Sequence, residues 1–334
     1  MRPRAYLILF TLALIWGASF LFIKIGVQEM SPATLVTLRL VFAVITLSEI
    51  AAARPALIAG WRRYWRLAIL VAIFNVMIPY LLISWGETRI FSGTASILNA
   101  TTPLFTVLLA SVWIGNGHES LSWRKALGIL IGFLGVFVVF GLDVRAFGDQ
   151  SLPIILGELA VVVASASYGV GGLLSRRFAG EGTGTLVGPL TSLTAALVIS
   201  IPVMLLWDPP TALPSWKAIG AIAALGVLGT GIAYLFYFWL IRNVGAPRTS
   251  MVTYLLPFSA LLWGLLVFGE PILPNALLGL ALVLLGTIIT NNTIGAHFRR
   301  KQQMTQPATS VETTPDIAED IASAGAYPEE ARRG

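Results

Sequence analysis

Long apolar runs, each of about 18 residues or more, follow one another along nearly the whole of this 334-residue chain. A run of that length forms a helix long enough to cross a hydrocarbon layer of about 30 Å. With 56% hydrophobic and only 11% charged residues, the chain has too little polar surface for a fold in water. The runs therefore predict an all-α membrane protein that crosses the bilayer many times.

Charged, glycine and proline clusters divide the chain into predicted spans and a tail. Residues 295–334 are rich in Thr, Pro, Ala and charge without apolar periodicity, so we expect a disordered cytoplasmic tail there. The ten predicted spans are Tyr6–Gly26, Ala33–Ala53, Leu67–Trp85, Gly93–Trp113, Ala126–Leu142, Pro153–Ser175, Gly184–Leu206, Ala218–Leu240, Arg248–Phe268 and Asn275–Ile294.

The two halves of the chain are related by an internal duplication. Five spans separate a segment from its copy, and an odd number turns the copy upside down in the membrane. The sequence therefore predicts two inverted five-helix repeats, residues 1–142 and 153–294, around a central cavity. A single offset without gaps superposes three features of the halves: Tyr80 on Tyr234, Trp85 on Trp239 and Pro103 on Pro257.

The distribution of Lys and Arg predicts the orientation of the chain. With the N-terminus inside, the inner segments hold fifteen basic residues and the outer segments hold four. Short positively charged loops are retained in the cytoplasm, so we expect both termini to be cytoplasmic. The basic charge thus indicates membrane orientation and not nucleic-acid binding.

Composition also bears on the chemistry available to the chain. Without cysteine, disulfides and thiolate chemistry are excluded, and the two histidines, His118 and His297, are too far apart in sequence to favour a metal site. Neither His-Glu-x-x-His nor Gly-x-Ser-x-Gly occurs. We therefore expect no cofactor, metal or catalytic residue. A passive channel and an intramembrane enzyme are the alternatives to a transporter.

Several of these features together resemble a known family. The segment Trp16-Gly17-Ala18-Ser19-Phe20, Arg39, the spans of Pro103 and Pro257, and the duplicated ten-span pattern look like the drug/metabolite transporter superfamily, specifically its EamA-type exporters. The resemblance covers about residues 7–292. It implies a secondary transporter of the inner (plasma) membrane that exports small metabolites, such as amino acids, by alternating access. Drugs and nucleotide sugars are the alternative solutes.

Polar, aromatic and proline residues deep in the spans are the candidates for substrate binding. Arg39 is a counter-charge for a substrate carboxylate or a partner of Glu87, unless its side chain snorkels to the interface. Pro103 frees the carbonyl of Asn99, which either binds a ligand or is satisfied by a neighbouring hydroxyl. The candidates are Trp16, Ser19, Arg39, Asn75, Tyr80, Asn99, Thr102, Pro103, Tyr168, Tyr234, Tyr237, Thr253, Tyr254 and Pro257.

Further expectations concern charges, prolines and glycines. We expect Lys24, Glu49 and Glu158, near span ends, to be solvated or to snorkel. With no acid at the midplane of a span, proton coupling, exchange and facilitated diffusion all remain open. We expect kinks at both Pro103 and Pro257. The small-residue face of Gly128, Gly132 and Gly135 predicts packing between the repeats or between the protomers of a homo-oligomer.

Overall fold

A computed structural model describes residues 3–113, 121–147, 151–178, 184–210, 212–244 and 246–291. The regular structure of these ranges is entirely helical, which confirms the all-α prediction. The expectations for the tail, for His118 and for His297 lie outside the described residues.

The helices of the described ranges form ten spans, as the sequence predicted. Nine are long and apolar enough to cross a membrane, and the tenth is apolar but shorter. The spans are α1 (Pro3–Gly26), α2 (Pro32–Ala53), α3 (Trp65–Ala72, Ile73–Met77 and Ile78–Glu87), α4 (Ser92–Asn99 and Thr102–Trp113), α5 (Trp123–Phe147), α6 (Ser151–Ser175), α7 (Val187–Trp207), α8 (Trp216–Gly226, Val227–Ile232 and Ala233–Val244), α9 (Met251–Trp263 and Gly264–Phe268) and α10 (Pro274–Thr290).

Serine residues begin two of the helices in the way that their sequences favour. Ser31 accepts a hydrogen bond from the backbone N–H of Thr34, with Pro32 at the first helical position of α2. Ser215 likewise accepts from the N–H of Ala218 at the start of α8. Each serine satisfies a donor that the first turn of a helix leaves free, and so fixes where its span begins.

The glycine faces of α5 and α10 pack against each other. A methyl group added to Gly128 would lie 2.6 Å from the carbonyl oxygen of Gly286, and one added to Gly135 would lie 2.7 Å from that of Gly279. Residue numbers therefore increase along α5 in the direction in which they decrease along α10, so the two helices are antiparallel. Gly279 and Gly286 are the copies of Gly128 and Gly135, so each contact is the copy of the other, as a twofold axis requires. The repeats are therefore inverted.

This packing agrees with the first of the two expectations for the glycine face, contact between the repeats. The glycines of α5 are covered by α10 of the same chain, and Gly132 lies against Leu104 of α4. The face therefore joins the two repeats. Whether the protein also forms a homo-oligomer stays a prediction.

The other interfaces between repeats also come in exchanged pairs. α1 packs on α9 as α6 packs on α4, and α2 packs on α8 as α7 packs on α3. The second helices of the two repeats, α2 and α7, contact each other. Both repeats belong to one compact unit that ends at Asn291. Helices of both repeats therefore surround its centre.

Each repeat has one wide, π-helical segment in its third helix. The segments are Ile73–Met77 in α3 and Val227–Ile232 in α8. The offset that superposes Tyr80 on Tyr234 also superposes these two segments, although the sequence did not predict them. Such wide turns are rare and occur frequently at functional sites. Each one directly precedes the helical turn that carries its tyrosine.

The two proline helices differ, although both were expected to kink at proline. α4 is interrupted at Ala100 and Thr101, just before Pro103. α9 instead remains one helix from Met251 to Trp263 with Pro257 inside it. Thr101 donates its hydroxyl to the Leu98 carbonyl at 2.6 Å, and local bonds of this kind compete with helical ones. Leu255 and Leu256, directly before Pro257, have no hydroxyl group that could compete for helical carbonyls.

Hydrogen bonds between loops also join the repeats. The carboxylate of Glu29, between α1 and α2, accepts from the N–H and the hydroxyl of Ser215 at 2.7 and 2.8 Å, and we call this contact the Glu29 bridge. Between the α2–α3 and α6–α7 loops, the N–H of Gly184 donates to the Ala59 carbonyl at 3.0 Å. The N–H of Leu186 donates to the Leu57 carbonyl at 2.9 Å, and these two bonds form the backbone bridge.

Candidate functional site

Arg39 lies buried in the centre of the helical unit and reaches across to other helices. Its side chain is 7% exposed. Its Nε donates to the hydroxyl of Thr230 on α8 at 3.1 Å, and its guanidinium carbon lies 3.6 Å from the ring centroid of Tyr80 on α3. The side chain therefore does not snorkel towards an interface, because its head is held among protein groups.

The wide turn of α8 positions the partner of Arg39. The hydroxyl of Thr230 donates to the carbonyl of Leu225, five residues earlier, at 3.2 Å. With its proton committed there, the oxygen accepts from Arg39. The bond across the wide turn thus orients the threonine, so the geometry of the backbone is coupled to the placement of the cation.

The terminal nitrogens of Arg39 have no hydrogen-bond partner in the part of the chain that the structure describes. Within the described ranges, Nε forms the one hydrogen bond of the guanidinium, which leaves Nη1 and Nη2 unbonded. These two nitrogens carry four of the five N–H donors, in a fork that matches the two oxygens of a carboxylate. The arginine is therefore anchored on one side and has spare donors on the other.

Aromatic side chains from both repeats surround this cation. Tyr168 on α6 interacts electrostatically with Tyr80 and Arg39. Tyr234 on α8 interacts with the same two groups and with Tyr168 and Tyr237. The ring centroids of Tyr237 and Trp16 are 5.5 Å apart, which adds α1 to the cluster. Six of the candidate residues, contributed by α1, α2, α3, α6 and α8, therefore lie together.

Small residues bring the backbones of this region close to one another. A methyl group on Gly229, next to Thr230, would lie 2.8 Å from the hydroxyl oxygen of Ser19. Ser19 is buried and donates to the Ile15 carbonyl, so it lines the approach of α1 to α8. Asn75, in the wide turn of α3, packs against Gly171 of α6 at a distance that no larger residue would permit.

The polar candidates of α4 form local hydrogen bonds. The hydroxyl of Thr102 donates to the Asn99 carbonyl at 2.8 Å. The carbonyl freed by Pro103 is therefore satisfied by the chain itself, which was the structural alternative to ligand binding. The side-chain oxygen of Asn99 is buried without a hydrogen-bond partner among the described residues. Asn99 thus retains one free acceptor.

The candidates of α9 are also engaged away from Arg39. The hydroxyl of Thr253 donates to the Ser250 carbonyl at 2.7 Å. The hydroxyl of Tyr254 accepts from the side-chain amide of Asn291, beyond the end of α10, at 3.0 Å. Pro257 is buried, whereas Pro103 in α4 is half-buried. The described contacts do not join these residues to the arginine.

The charged residues near span ends correct several expectations. Glu87 was expected in a break, but α3 continues to this residue and buries it completely. Neither of its carboxylate oxygens has a hydrogen-bond partner within the described chain, so the expected pair with Arg39 is not formed. Glu158 was expected to be solvated and is fully buried, whereas Glu49 is exposed as expected.

Two ionic groups at the same end of the molecule stabilise helix termini. Lys24 donates its ammonium to the carbonyls of Glu87 and Ile90, at the C-terminus of α3. Glu270 accepts from the N–H and hydroxyl of Ser92 at the start of α4. A cation at a helix C-terminus and an anion at an N-terminus are both favourable. Lys24 is therefore half-buried and bonded to the protein at a helix end.

Sequence reasoning missed two of these residues. Thr230 corresponds to Val76 in the first repeat, so the duplication gave no indication of a polar group there. The segment Gly229-Thr230-Gly231 within an apolar run was the available signal. For Glu270, the signal was a lone acid between Gly269 and Pro271 directly after a span.

Comparison with known proteins agrees with this architecture. The model of the EamA-like transporter family matches residues 3–141 and 155–292. An uncharacterized transporter of Archaeoglobus fulgidus is 28% identical, over 82% of this chain and 94% of its own. The uncharacterized inner membrane transporter YedA of Escherichia coli is also 28% identical, over 86% and 90%.

Two further similarities bear on function and on fold. A protein of Streptantibioticus cattleyicolor named as a probable terminal-alkyne amino-acid exporter is 27% identical, over 87% of this chain and 93% of its own. A crystal structure with 22% identity superposes with a TM-score of 0.60, over 90% of this chain and 99% of that one. The inverted helical repeats and the two family matches lead to one conclusion: this chain is a multi-pass membrane protein that belongs to the EamA-like transporter family.

Proposed function

We propose that this transporter exports small metabolites that carry a carboxylate, such as amino acids, by alternating access between its two repeats. The observation that carries the proposal is Arg39, a buried cation whose terminal nitrogens have no protein partner within the described chain. A desolvated guanidinium with free donors favours an anionic, planar group, and a carboxylate is the smallest that fits the fork.

The contacts of Arg39 support a site that responds to movement of the repeats. The arginine and Tyr80 come from the first repeat, whereas Thr230 and Tyr234 come from the second. A tilt of one repeat against the other therefore changes the surroundings of the cation. Inverted repeats that tilt in this way open a central site to one side of the membrane and then to the other.

The charge of the region indicates the class of solute. Among the described residues, Arg39 is the only buried cation. One cation balances one carboxylate, whereas highly phosphorylated solutes would call for several. The similarity to a probable terminal-alkyne amino-acid exporter supports the same class. The surrounding tyrosines provide both apolar ring faces and hydroxyl groups for the rest of an amphipathic metabolite.

Counterflow in proteoliposomes tests this function. Vesicles that contain the purified transporter are loaded with one amino acid at a time and mixed with the labelled compound outside. We expect saturable uptake of at least one labelled amino acid, because a transporter exchanges solute across the membrane. Uptake that does not saturate would indicate a channel, and chemical conversion of the label would indicate an enzyme.

The variant Arg39→Gln tests the role of the cation. A hydrogen bond to a charged group contributes about 1.5–3 kcal/mol, so we expect counterflow of a carboxylated solute to fall about tenfold or more. The matched control is Arg89→Gln, which removes an exposed arginine that lies over the ring of Trp85. Equal counterflow by both variants, at equal amounts of monodisperse protein, would exclude Arg39 from substrate binding.

We also propose that the transporter resides in the inner membrane with both termini in the cytoplasm. The excess of basic residues in the predicted inner segments supports this orientation, and the relative YedA is named an inner membrane transporter. Reporter fusions at the two ends test it. Reporters that place the ends on opposite sides would contradict the inverted ten-span arrangement.

A further inference from the structure

An apolar groove opens on the outer surface of the helical unit between α3 and α7. It has a volume of about 530 Å³, and its walls come from different repeats, α3 from the first and α7 from the second. Trp65 begins α3, Trp61 lies in the helical turn just before it, and Ala195 lies on α7. The groove is therefore a seam between the two parts that must move in alternating access.

The two hydroxyl groups that line the groove already form hydrogen bonds within α7. The hydroxyls of Thr191 and Thr194 donate to the carbonyls of Val187 and Leu190, one turn earlier in α7. The remaining lining side chains are aliphatic or aromatic. Apart from the indole N–H groups of Trp61 and Trp65 near the arginines, the groove is lined by apolar side chains, so its interior suits a hydrocarbon chain.

A cluster of arginines stands beside one end of this groove. Residues 54–66 contain four arginines and no acidic residue, and the helix α7 contains no charged residue. Arg62, Arg63 and Arg66 are exposed, and they lie over the rings of Trp61, Tyr64 and Trp65 respectively. Within the described ranges none of the four forms an ion pair.

From this combination we infer a binding site for an anionic phospholipid, with an acyl chain in the groove and the headgroup phosphate at Arg62 and Arg66. Basic clusters beside grooves between membrane helices favour anionic headgroups electrostatically, and arginine matches phosphate in a bidentate manner. The two tryptophans lie between chain and headgroup, the level at which such amphipathic rings are favourable. A lipid held here touches both repeats, so it stabilises whichever conformation keeps the groove open.

Tryptophan quenching by brominated lipids tests the site. The full-length protein is purified in detergent and titrated with phosphatidylglycerol or phosphatidylcholine brominated on the acyl chain. We expect phosphatidylglycerol to quench at about fivefold lower concentration for each arginine engaged. Equal quenching by the two lipids would overturn the inference. Trp65→Phe should remove part of the quenching, because it deletes a reporter that lines the groove.

Variants separate the headgroup from the chain. Arg62→Gln with Arg66→Gln should abolish the preference for phosphatidylglycerol, whereas the matched control Arg89→Gln, an exposed arginine over Trp85 outside the groove, should retain it. Ala195→Phe should fill the groove and weaken quenching by both lipids. A preference that survives the double substitution, or quenching that Ala195→Phe leaves unchanged, would contradict the site. None of these measurements depends on knowing the transported solute.

Discussion

The third helices of the two repeats, α3 and α8, have the same backbone and different chemistry. Both contain a wide turn at the same position, and both place a tyrosine after it, Tyr80 and Tyr234. In the wide turn of α8, however, Thr230 presents a hydroxyl to Arg39, whereas its copy in α3 is Val76, buried in the apolar core. Duplication has therefore retained the shape of the helix, while the polar contact has diverged.

The second helices show the same asymmetry in charge. α2 carries Arg39, whereas α7, from Val187 to Trp207, has no charged residue. The helices around Arg39 are thus related by the duplication, but their polar and charged side chains are not. Because the cation belongs to one repeat only, the proposed alternating access would not be expected to hold a solute equally well in its two orientations.

The largest expected effect comes from breaking the symmetric contact between α5 and α10. A methyl group on Gly286 would lie 2.4 Å from the carbonyl oxygen of Gly128 and 2.5 Å from the N–H nitrogen of Gly132. Backbone atoms cannot move aside cheaply, so we expect Gly286→Leu to remove most of the folded protein. Size-exclusion profiles of detergent extracts measure this loss.

The control for that variant is a glycine with free space around it. Gly220 in α8 has no neighbour within 4 Å of an added methyl group. Gly220→Ala should retain or slightly increase stability, by about 0.5–1 kcal/mol, since alanine favours helices. If both variants fold equally well, the glycine contact does not hold the repeats together.

The next effect concerns the asymmetric hydroxyl. Thr230→Val removes the acceptor of Arg39 Nε while preserving shape, and we expect about tenfold weaker counterflow of a carboxylated solute. Thr230→Ser retains the hydroxyl and should remain close to the unsubstituted protein. The reciprocal change, Val76→Thr, tests whether the first repeat can supply the missing group. A gain in transport from Val76→Thr would show that the copies are interchangeable.

A smaller difference is expected between the paired tyrosines. The Tyr80 ring lies directly under the guanidinium, and such contacts contribute about 1–2 kcal/mol when desolvated. Tyr80→Leu should therefore reduce counterflow about fivefold. Tyr80→Phe, which keeps the ring face, and Tyr234→Leu should reduce it less. Identical losses in both leucine variants would indicate that the rings act only as apolar walls.

The smallest effect should come from the Glu29 bridge. The N–H of Ser215, and then its hydroxyl, donate to the carboxylate and hold the pKa of Glu29 below its ordinary value of 4.5. The bridge therefore contributes stability above the ordinary pKa, and this contribution disappears as pH falls through the lower value in the folded protein. Thermal unfolding of Glu29→Gln should differ slightly from that of the unsubstituted protein near neutral pH and converge with it in acid.

Glu49→Gln is the matched control for this measurement. Glu49 is also exposed but, within the described chain, accepts no hydrogen bond. We expect its unfolding to follow the unsubstituted protein at every pH. A pH-dependent difference of the same size in both variants would show that general surface charge, and not the Glu29 bridge, is responsible.

The regular part of the fold could be predicted from the sequence because it depends on local properties. Apolar length predicted the spans, and equal spacing of Gly128 and Gly135 with Gly279 and Gly286 predicted which helices are copies. Depth within a span likewise selected Arg39 and the tyrosines as candidates. Because backbone polar groups in lipid must form hydrogen bonds within the protein, a long apolar segment has few alternatives to a helix.

The remaining features depend on partners that are distant in sequence. The hydroxyl of Thr230 accepts a hydrogen bond from Arg39, which precedes it by 191 residues, and no local sequence pattern connects the two residues. Glu87 lies beyond the predicted end of its span at Trp85, but helix α3 extends two residues further, to Glu87, where Lys24 donates to its carbonyl. The carbonyl of Asn99 accepts from the hydroxyl of Thr102, which is close in sequence. Here the sequence alone did not decide between this bond and the binding of a ligand.

The wide turns of α3 and α8 each hold one residue more than an ordinary helical turn. If the extra residue of the wide turn moved to the other side of Tyr80 or Tyr234, that ring would rotate by about 100° around the helix axis. The backbone hydrogen bonds broken at the old position of the wide turn would be replaced by bonds at the new one. Each repeat thus contains a screw-like adjustment beside the cation, which can redirect one tyrosine without lengthening its span. A second conformation of the transporter in which both insertions keep their positions would show that the repeats move as rigid bodies instead.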